Sequence, residues 1–143
     1  MKPRHVCRLI APAALAFAAV LFAGIGQAPA FQGEPRGFGG FVWGTPRENL
    51  GSMTHVGTDC AGNVTYRRQG ETADFGRARL AAIEYGFRDG RLAGVTLRVD
   101  SLFQYLLMKD EAIRRYGAGG EISGQKDSYV WRGEHTYLSL VSH

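Results

Sequence analysis

Two successive runs of alternating residues within positions 79–99 constrain the fold of this chain more than any other part of its sequence. Large apolar residues alternate with small or polar ones, so that Glu84 and Gly86 lie between apolar neighbours. The apolar positions are Ile83, Tyr85 and Phe87 in the first run and Ala93, Val95, Leu97 and Val99 in the second. A period of two residues is typical of a strand with one buried face. We therefore predict a β-hairpin whose apolar side chains share one face.

The turn of this hairpin falls at Arg88-Asp89-Gly90. A two-residue Asp-Gly loop would place Val95 on the face opposite Tyr85, because a shift of one residue moves every side chain of a strand to the other face. A three-residue loop, with Gly90 left-handed in a bulge, keeps the apolar set together. The predicted register pairs Phe87 with Arg91, Tyr85 with Ala93 and Ile83 with Val95.

An isolated hairpin is only marginally stable, so its apolar face needs a cover. The sequence predicts a long helix over residues 102–116. Ser101 is its predicted N-cap, Gln104 occupies the capping-box position and Gly117 ends it. The side chains predicted to pack on the sheet are Phe103, Leu106, Leu107, Ile113 and Tyr116. Asp110 lies close to the middle of this stripe, which favours a break or bend there; a shifted helix face is the alternative.

The remaining elements predict an α+β fold. Thr45, Pro46 and Glu48 form a capping pattern for a second, short helix. Further strands are predicted over residues 41–43, 64–68, 128–132 and 135–141, with loops over 54–63, 70–76 and 117–124. The last two strands form a hairpin around Gly133-Glu134. Its predicted register pairs Tyr129 with Leu138 and Trp131 with Thr136. The predicted architecture is an antiparallel β-sheet with one short and one long helix packed on one face, in the order β-α-β-β-β-α-β-β.

Residues 1–30 have the layout of a secretory signal peptide. Lys2, Arg4 and Arg8 form a basic start, residues 9–23 are apolar, and Ala28-Pro29-Ala30 is a small-residue cleavage site. A retained membrane anchor is the alternative, but the apolar stretch is shorter than the ~20 residues that a membrane span needs. We expect a periplasmic or secreted protein, with a flexible leader over residues 31–40 and a single domain over 41–143.

The charge balance changes when the signal peptide is removed. Cleavage takes away three of the 17 basic residues and none of the 13 acidic ones, so the net charge falls from +4 to +1. A nearly neutral domain lacks the basic surface of a nucleic-acid-binding protein. Cys60 is then the only cysteine, which excludes an intramolecular disulfide. We expect no nucleic-acid partner, no cofactor, membrane contact only through the signal peptide before cleavage, and a monomer or weak dimer.

Two segments carry a resemblance to known proteins. They are Phe-Val-Trp-Gly-Thr-Pro at residues 41–46 and Ile-Glu-Tyr-Gly-Phe-Arg-Asp-Gly-Arg-Leu at residues 83–92. Together they resemble a group of small exported bacterial α+β proteins of unknown function, in which a Trp-Gly-Thr turn precedes a Tyr-Gly-Phe…Asp-Gly…Leu hairpin. The order of helix and hairpin is also similar to that of the small lipoproteins of outer-membrane protein assembly. The resemblance implies export and a structural motif, and it implies no catalytic residue.

Two groups of residues are candidates for function. His55, Asp59 and Cys60 are the only local trio with a nucleophile, and they give a thiol-dependent hydrolase as one hypothesis. The trio lies on a predicted loop, and a loop thiol without a catalytic role is the other interpretation. His55, His135 and His143 share no chelating spacing with one another or with Cys60, so we predict no metal site.

The outward face of the central hairpin supplies the second group. Glu84, Thr96 and Arg98 lie there beside the small residues Ala82, Gly86 and Gly94, and glycine inside a strand often marks close approach by a ligand or another backbone. A covering loop is the alternative, and Glu84 itself is interpreted as part of a solvated strand face with Arg98 as a diagonal neighbour. Arg67, Arg132 and Tyr137 are further candidate contact residues, together with Arg68.

These features favour a non-catalytic binding or interaction module of the cell envelope, whose partner is a protein or another envelope component. A thiol-dependent hydrolase using the Cys60 loop is the second hypothesis, and a carrier of a small ligand is the third. A free sheet edge or an exposed apolar patch would favour the binding module, whereas a deep pocket with His55 and Cys60 would favour the enzyme.

Overall fold

The protein is an α+β domain built on one eight-stranded antiparallel sheet. The computed structural model describes residues 5–10 and 31–142, with side chains described from 31 to 141. The strands are β1 (His5–Ile10), β2 (Gly37–Phe38), β3 (Phe41–Val42), β4 (Met53–Thr58), β5 (Val64–Arg68), β6 (Asp74–Phe75), β7 (Ala78–Arg79), β8 (Ala82–Arg88), β9 (Arg91–Val99), β10 (Gly120–Glu121), β11 (Tyr129–Arg132) and β12 (Tyr137–Ser142). The main sheet has the order β10-β11-β12-β1-β9-β8-β5-β4, while β2-β3 and β6-β7 form separate hairpins.

The strand order differs from the prediction in several places. Strand β4 lies mostly in a predicted loop, β6 lies in a predicted turn and β10 in a predicted connection, while β7 falls at the start of the predicted hairpin stretch. Strand β1 lies within the predicted signal peptide, most of which falls outside the described residues. Among the residues that the structure describes, no helix is long and apolar enough to cross a membrane.

The described part of the chain contains one α-helix, α1 (Leu102–Tyr116). The short helix predicted after Thr45 is wrong, because the chain makes only a single 3-10 turn over Arg47–Leu50. Pro46 occupies the N-cap position without a side-chain hydrogen bond, and the Thr45 hydroxyl donates to the Val42 carbonyl at 2.7 Å instead of capping a helix. Gly51, with φ at 80°, ends the turn.

The central hairpin β8–β9 has the predicted apolar face but not the predicted register. Tyr85 pairs with Val95, and both side chains are buried. Arg88 pairs with Arg91, so the turn is a two-residue Asp89-Gly90 loop. The extra residue of the bulge lies within the ladder, where the register shifts between Gly86 and Phe87. The predicted three-residue loop is therefore wrong. A bulge inside the ladder restores the parity that the short turn alone would have lost.

Asp89 and Gly90 both have positive φ, at 51° and 72°, as a type I′ turn requires. We expect Asp89→Val to lower the free energy of unfolding by about 1–2 kcal/mol, because a β-branched residue tolerates the left-handed region poorly. Asp89→Asn is the matched control and should leave stability almost unchanged, since asparagine adopts this conformation readily. Urea unfolding of the two variants measures the difference. Equal stability of both would argue against this turn.

Helix α1 begins and ends as predicted, but only part of the predicted face meets the sheet: Tyr116 is buried and Leu107 packs partly against the core. Ser101 Oγ accepts a hydrogen bond from the Gln104 amide at 3.3 Å, and the helix is continuous through Asp110, which is exposed. The predicted break is wrong. The buried side chains of the helix are Tyr105, Met108, Ala112 and Tyr116, whereas Leu102, Phe103, Leu106 and Ile113 are exposed. The buried four belong to the same hydrophobic core as Tyr85, Val95, Leu97, Trp131, Leu138 and Leu140.

The last hairpin, β11–β12, also keeps the predicted face with a shifted register. Trp131 pairs with Leu138 and Tyr129 with Leu140, so each partner differs from the prediction by two residues. Trp131, Leu138 and Leu140 are buried in the core. The Trp131 indole N–H donates to the Gly117 carbonyl at 2.8 Å and so connects this hairpin to the end of α1.

Residues 31–40, predicted as a flexible leader, pack against both ends of this arrangement. The Gln32 amide donates to the Tyr116 carbonyl at 3.0 Å. The Glu34 carboxylate accepts hydrogen bonds from the Glu134 and His135 amides, and the Thr136 hydroxyl donates to the Pro35 carbonyl at 2.9 Å. The segment therefore connects the end of α1 to the turn of the β11–β12 hairpin.

A polar cleft on the sheet face opposite the helix

The side of the main sheet that faces away from α1 holds a cleft of about 580 Å³. Thr96 on β9 and Ser139 on β12 lie on the same face, because both are opposite position 8 of strand β1. The described residues lining the cleft are Val56, Gly57, Thr58, Asp59, Cys60, Thr65, Glu84, Thr96, Arg98, Gln125, Ser139 and Val141. The cleft thus spans the sheet from β4 to β12.

Glu84 is the central charged group of the cleft. Its Oε1 lies 2.6 Å from a terminal nitrogen of Arg67, and its Oε2 lies 3.2 Å from one of Arg98. The Glu84 side chain is only 8% exposed, whereas those of Arg67 and Arg98 are 51% and 30% exposed. The interpretation of Glu84 as part of a solvated face is wrong, because two guanidinium groups cover the carboxylate and satisfy it.

These contacts decide the charge state of Glu84. Burial raises the pKa of its carboxyl, but the hydrogen bonds from Arg67 and Arg98 and the attraction of both positive charges outweigh burial. The pKa of Glu84 therefore lies below its ordinary value of 4.5. The group is a carboxylate at neutral pH, and it accepts hydrogen bonds without acting as an acid.

A loop between β4 and β5 closes one side of the cleft. Asp59 Oδ1 accepts hydrogen bonds from the amides of Ala61 and Asn63 at 2.8 and 2.9 Å, and Oδ2 accepts from the Asn63 side chain at 3.0 Å. A Cβ at Gly86 would lie 3.2 Å from the Asn63 Cβ. Because Gly86 has no side chain, the β4–β5 loop can approach strand β8 closely. A covering loop was one of the two explanations for this glycine that the sequence allowed, the other being a bound ligand.

The structure does not bring the predicted trio together. Asp59 and Cys60 line the cleft, and Cys60 is exposed. His55 lies on the other face, where its ring centroid is 5.4 Å from that of Tyr66, and Tyr66 contacts Phe87 of the core face. The imidazole and the thiol are therefore on opposite sides of the sheet. His143 lies outside the described residues, within which no three His, Cys, Asp or Glu side chains are grouped to hold a metal ion.

The remaining predicted contact residues divide between two places. Arg132 and Tyr137 are paired across β11–β12 and stack at 5.4 Å on the same sheet face as Ser139, but beyond the residues that line the cleft. Arg68 points to the core side, where its Nε donates to the Leu50 carbonyl at 2.9 Å. Of the seven predicted contact residues, Glu84, Thr96 and Arg98 line the cleft, and Arg67 is bonded to Glu84.

Thr65 and Ser139 are buried and line the cleft, but neither was predicted from the sequence as a site residue. Thr65 alternates with Tyr66 in a predicted strand, so its outward position was available from the pattern. The position of Ser139 in the cleft could not be predicted, because its proximity to Thr96 depends on the order of strands that are distant in the chain. No family model, curated protein or solved structure matches this chain.

Proposed function

We propose that this chain is an exported, non-catalytic binding module of the cell envelope, and that the polar cleft is its binding surface. The observation that carries the proposal is the buried Glu84 carboxylate, which holds Arg98 in the lining of the cleft and Arg67 beside it. Side chains that are positioned before binding lose little conformational entropy when a partner arrives. Arginine is also enriched at protein interfaces.

The chemistry of the cleft favours a polypeptide partner. Arg98 in its lining and the adjacent Arg67 are balanced by Glu84 and Asp59, so the described residues give the cleft no strong net charge to attract an ion. It offers guanidinium donors and the hydroxyls of Thr65, Thr96 and Ser139, which pair with the mixed donors and acceptors of a protein surface. Export follows from the signal-peptide pattern of residues 1–30.

Site-specific photo-crosslinking tests this proposal. A photoreactive phenylalanine analogue at Val56, which lines the cleft and is 43% exposed, should form an adduct with an envelope protein in cells that export the chain. The same analogue at Phe103, which is 66% exposed on the outward side of α1, should form none. Arg98→Gln should reduce the Val56 adduct about tenfold, which corresponds to roughly 1.4 kcal/mol of binding.

Arg114→Gln is the matched control, because it removes the same charge from the exposed surface of α1 and should leave the adduct unchanged. Circular dichroism of each purified variant establishes that it is folded. Equal adducts from Val56 and Phe103, or none from Val56, would contradict a binding surface in the cleft. Turnover of a thiol-sensitive substrate that disappears in Cys60→Ser would instead support the hydrolase hypothesis.

A further inference from the structure

Strand β1 occupies a slot in the middle of the main sheet. It pairs antiparallel with β12 on one side and with β9 on the other, over six positions each, from His5 to Ile10. The order β12-β1-β9 shows that β9 and β12 are joined through this strand and not directly to each other. The slot is therefore one strand wide and is bounded on both sides by backbone groups that need partners.

The same six residues lie inside the predicted signal peptide. Cleavage after Ala30 would separate them from the domain. The facing edges of β9 and β12 would then lose a ladder each, and an unpaired buried backbone group costs roughly 1–3 kcal/mol. Their core side chains would also lose a neighbour, since positions 7 and 9 lie opposite Leu97 and Leu140 and opposite Val95 and Leu138. An empty slot is therefore unfavourable in free energy. Either another strand must fill it, or β9 and β12 must close on each other.

Direct closure of β12 onto β9 is opposed by contacts on the other side of β12. Closure would move the β11–β12 hairpin by about one strand spacing, roughly 4.8 Å. That hairpin is tied to the end of α1 by the bond from Trp131 to Gly117. It is tied to residues 31–40 by the bonds between Glu34 and the amides of Glu134 and His135. These contacts hold the slot at its width.

We infer that the processed protein accepts an extended strand of a partner polypeptide in the place of β1, by addition of a strand to both edges. This inference rests on the proposed export and processing. The register states what the strand should be: antiparallel to both neighbours, apolar at positions 7 and 9, and polar at position 8, which is opposite Thr96 and Ser139 of the cleft. A second copy is not the occupant, because every strand of the described chain is already paired within its own sheets.

A peptide titration tests the inference after the N-terminus of the exported protein has been fixed by intact mass. The probe is a fluorescent synthetic peptide of residues 4–11, and its anisotropy should rise with processed protein. The control is the same peptide N-methylated at positions 8 and 9, which removes backbone donors toward both edges and should bind at least about tenfold more weakly. Amide exchange at Leu97 and Ser139, which face β1 from the two edges of the slot, should slow together when the unmodified peptide binds.

A fusion variant provides a second measurement. Ser142 lies opposite His5, so residues 5–10 appended after His143 through a short turn can enter the slot as a hairpin with β12. This fusion should unfold at a higher temperature and should not bind the peptide, whereas a fusion carrying the scrambled segment should behave like the processed protein.

Several results would overturn the inference, and they are separable from failure of the proposed function. Slow exchange at Leu97 and Ser139 without peptide would show that β9 and β12 have closed on each other. Co-purification of residues 5–10, or dimerisation measured by light scattering, would identify a different occupant. An intact mass that retains residues 1–30 would refute processing itself. Crosslinked adducts in the cleft without peptide binding would support the proposed binding module but refute the inference that the slot accepts a strand.

Discussion

Met108→Ala is expected to lower the free energy of unfolding by about 2–5 kcal/mol, whereas Phe103→Ala should change it by less than about 0.5 kcal/mol. Met108 is fully buried on the sheet side of α1, and Phe103 is 66% exposed on the outward side. Truncating the first leaves a cavity in the core, while truncating the second removes side chain that already lies in water. The loss at Met108 corresponds to a fall in Tm of roughly 10–20 °C for a domain of this size.

Thermal and urea unfolding followed by circular dichroism measure both variants. Phe103→Ala is the matched control, because it removes a larger apolar side chain from the same helix. A greater loss at Phe103 than at Met108 would mean that α1 is rotated and that the predicted face is the buried one.

The ends of this helix could be predicted from sequence and its buried face could not. Helix ends depend on local interactions, here the Ser101 cap and the positive φ of Gly117 at 82°. The face depends on which side meets the sheet, and apolar residues are spread around most of the helix. Tyr105 and Met108 lie on the side that the sheet covers, so tertiary packing decided between two amphipathic stripes of similar strength.

In the hairpin β8–β9, the buried face could be predicted from the sequence but the register could not. Alternation fixes which side chains share a face, and Tyr85 and Val95 do so as predicted. A bulge restores parity at any point of the ladder, so alternation cannot place it. The Asp89-Gly90 dipeptide favoured the short turn, and the bulge lies instead after Gly86.

The residues of the candidate site also differ in whether local sequence or the pairing of distant strands positions them. Glu84, Thr96 and Arg98 come from one hairpin, and the pattern placed all three on its outward face. Arg67 reaches Glu84 only because β5 pairs with β8 across 17 residues of chain, which nothing local predicts. Burial of Glu84 depends on that second arginine, and for this reason the sequence favoured a solvated carboxylate.

Glu84→Gln is expected to lower the free energy of unfolding by about 1–3 kcal/mol at about pH 7, because it weakens two charge-assisted hydrogen bonds at a buried acceptor. The partial exposure of Arg67 and Arg98 keeps the effect below that of a fully buried pair, since their charges can still reach water. Glu121→Gln, at an exposed position on β10, is the control and should change stability by less than about 0.5 kcal/mol.

The pH dependence distinguishes the ion pair from mere packing. The pKa of Glu84 is lower in the folded chain than its ordinary value of 4.5, so the unfolded chain binds the proton more tightly. The contribution of Glu84 to stability is therefore complete above pH 4.5 and is lost as the pH falls toward the lowered pKa. The difference between wild type and Glu84→Gln, measured by urea unfolding, should be largest at about pH 6 and should shrink as the pH is lowered from 4.5 toward about pH 3. A difference that stays constant over this range would mean that the glutamine disturbs packing and that the carboxylate charge contributes nothing.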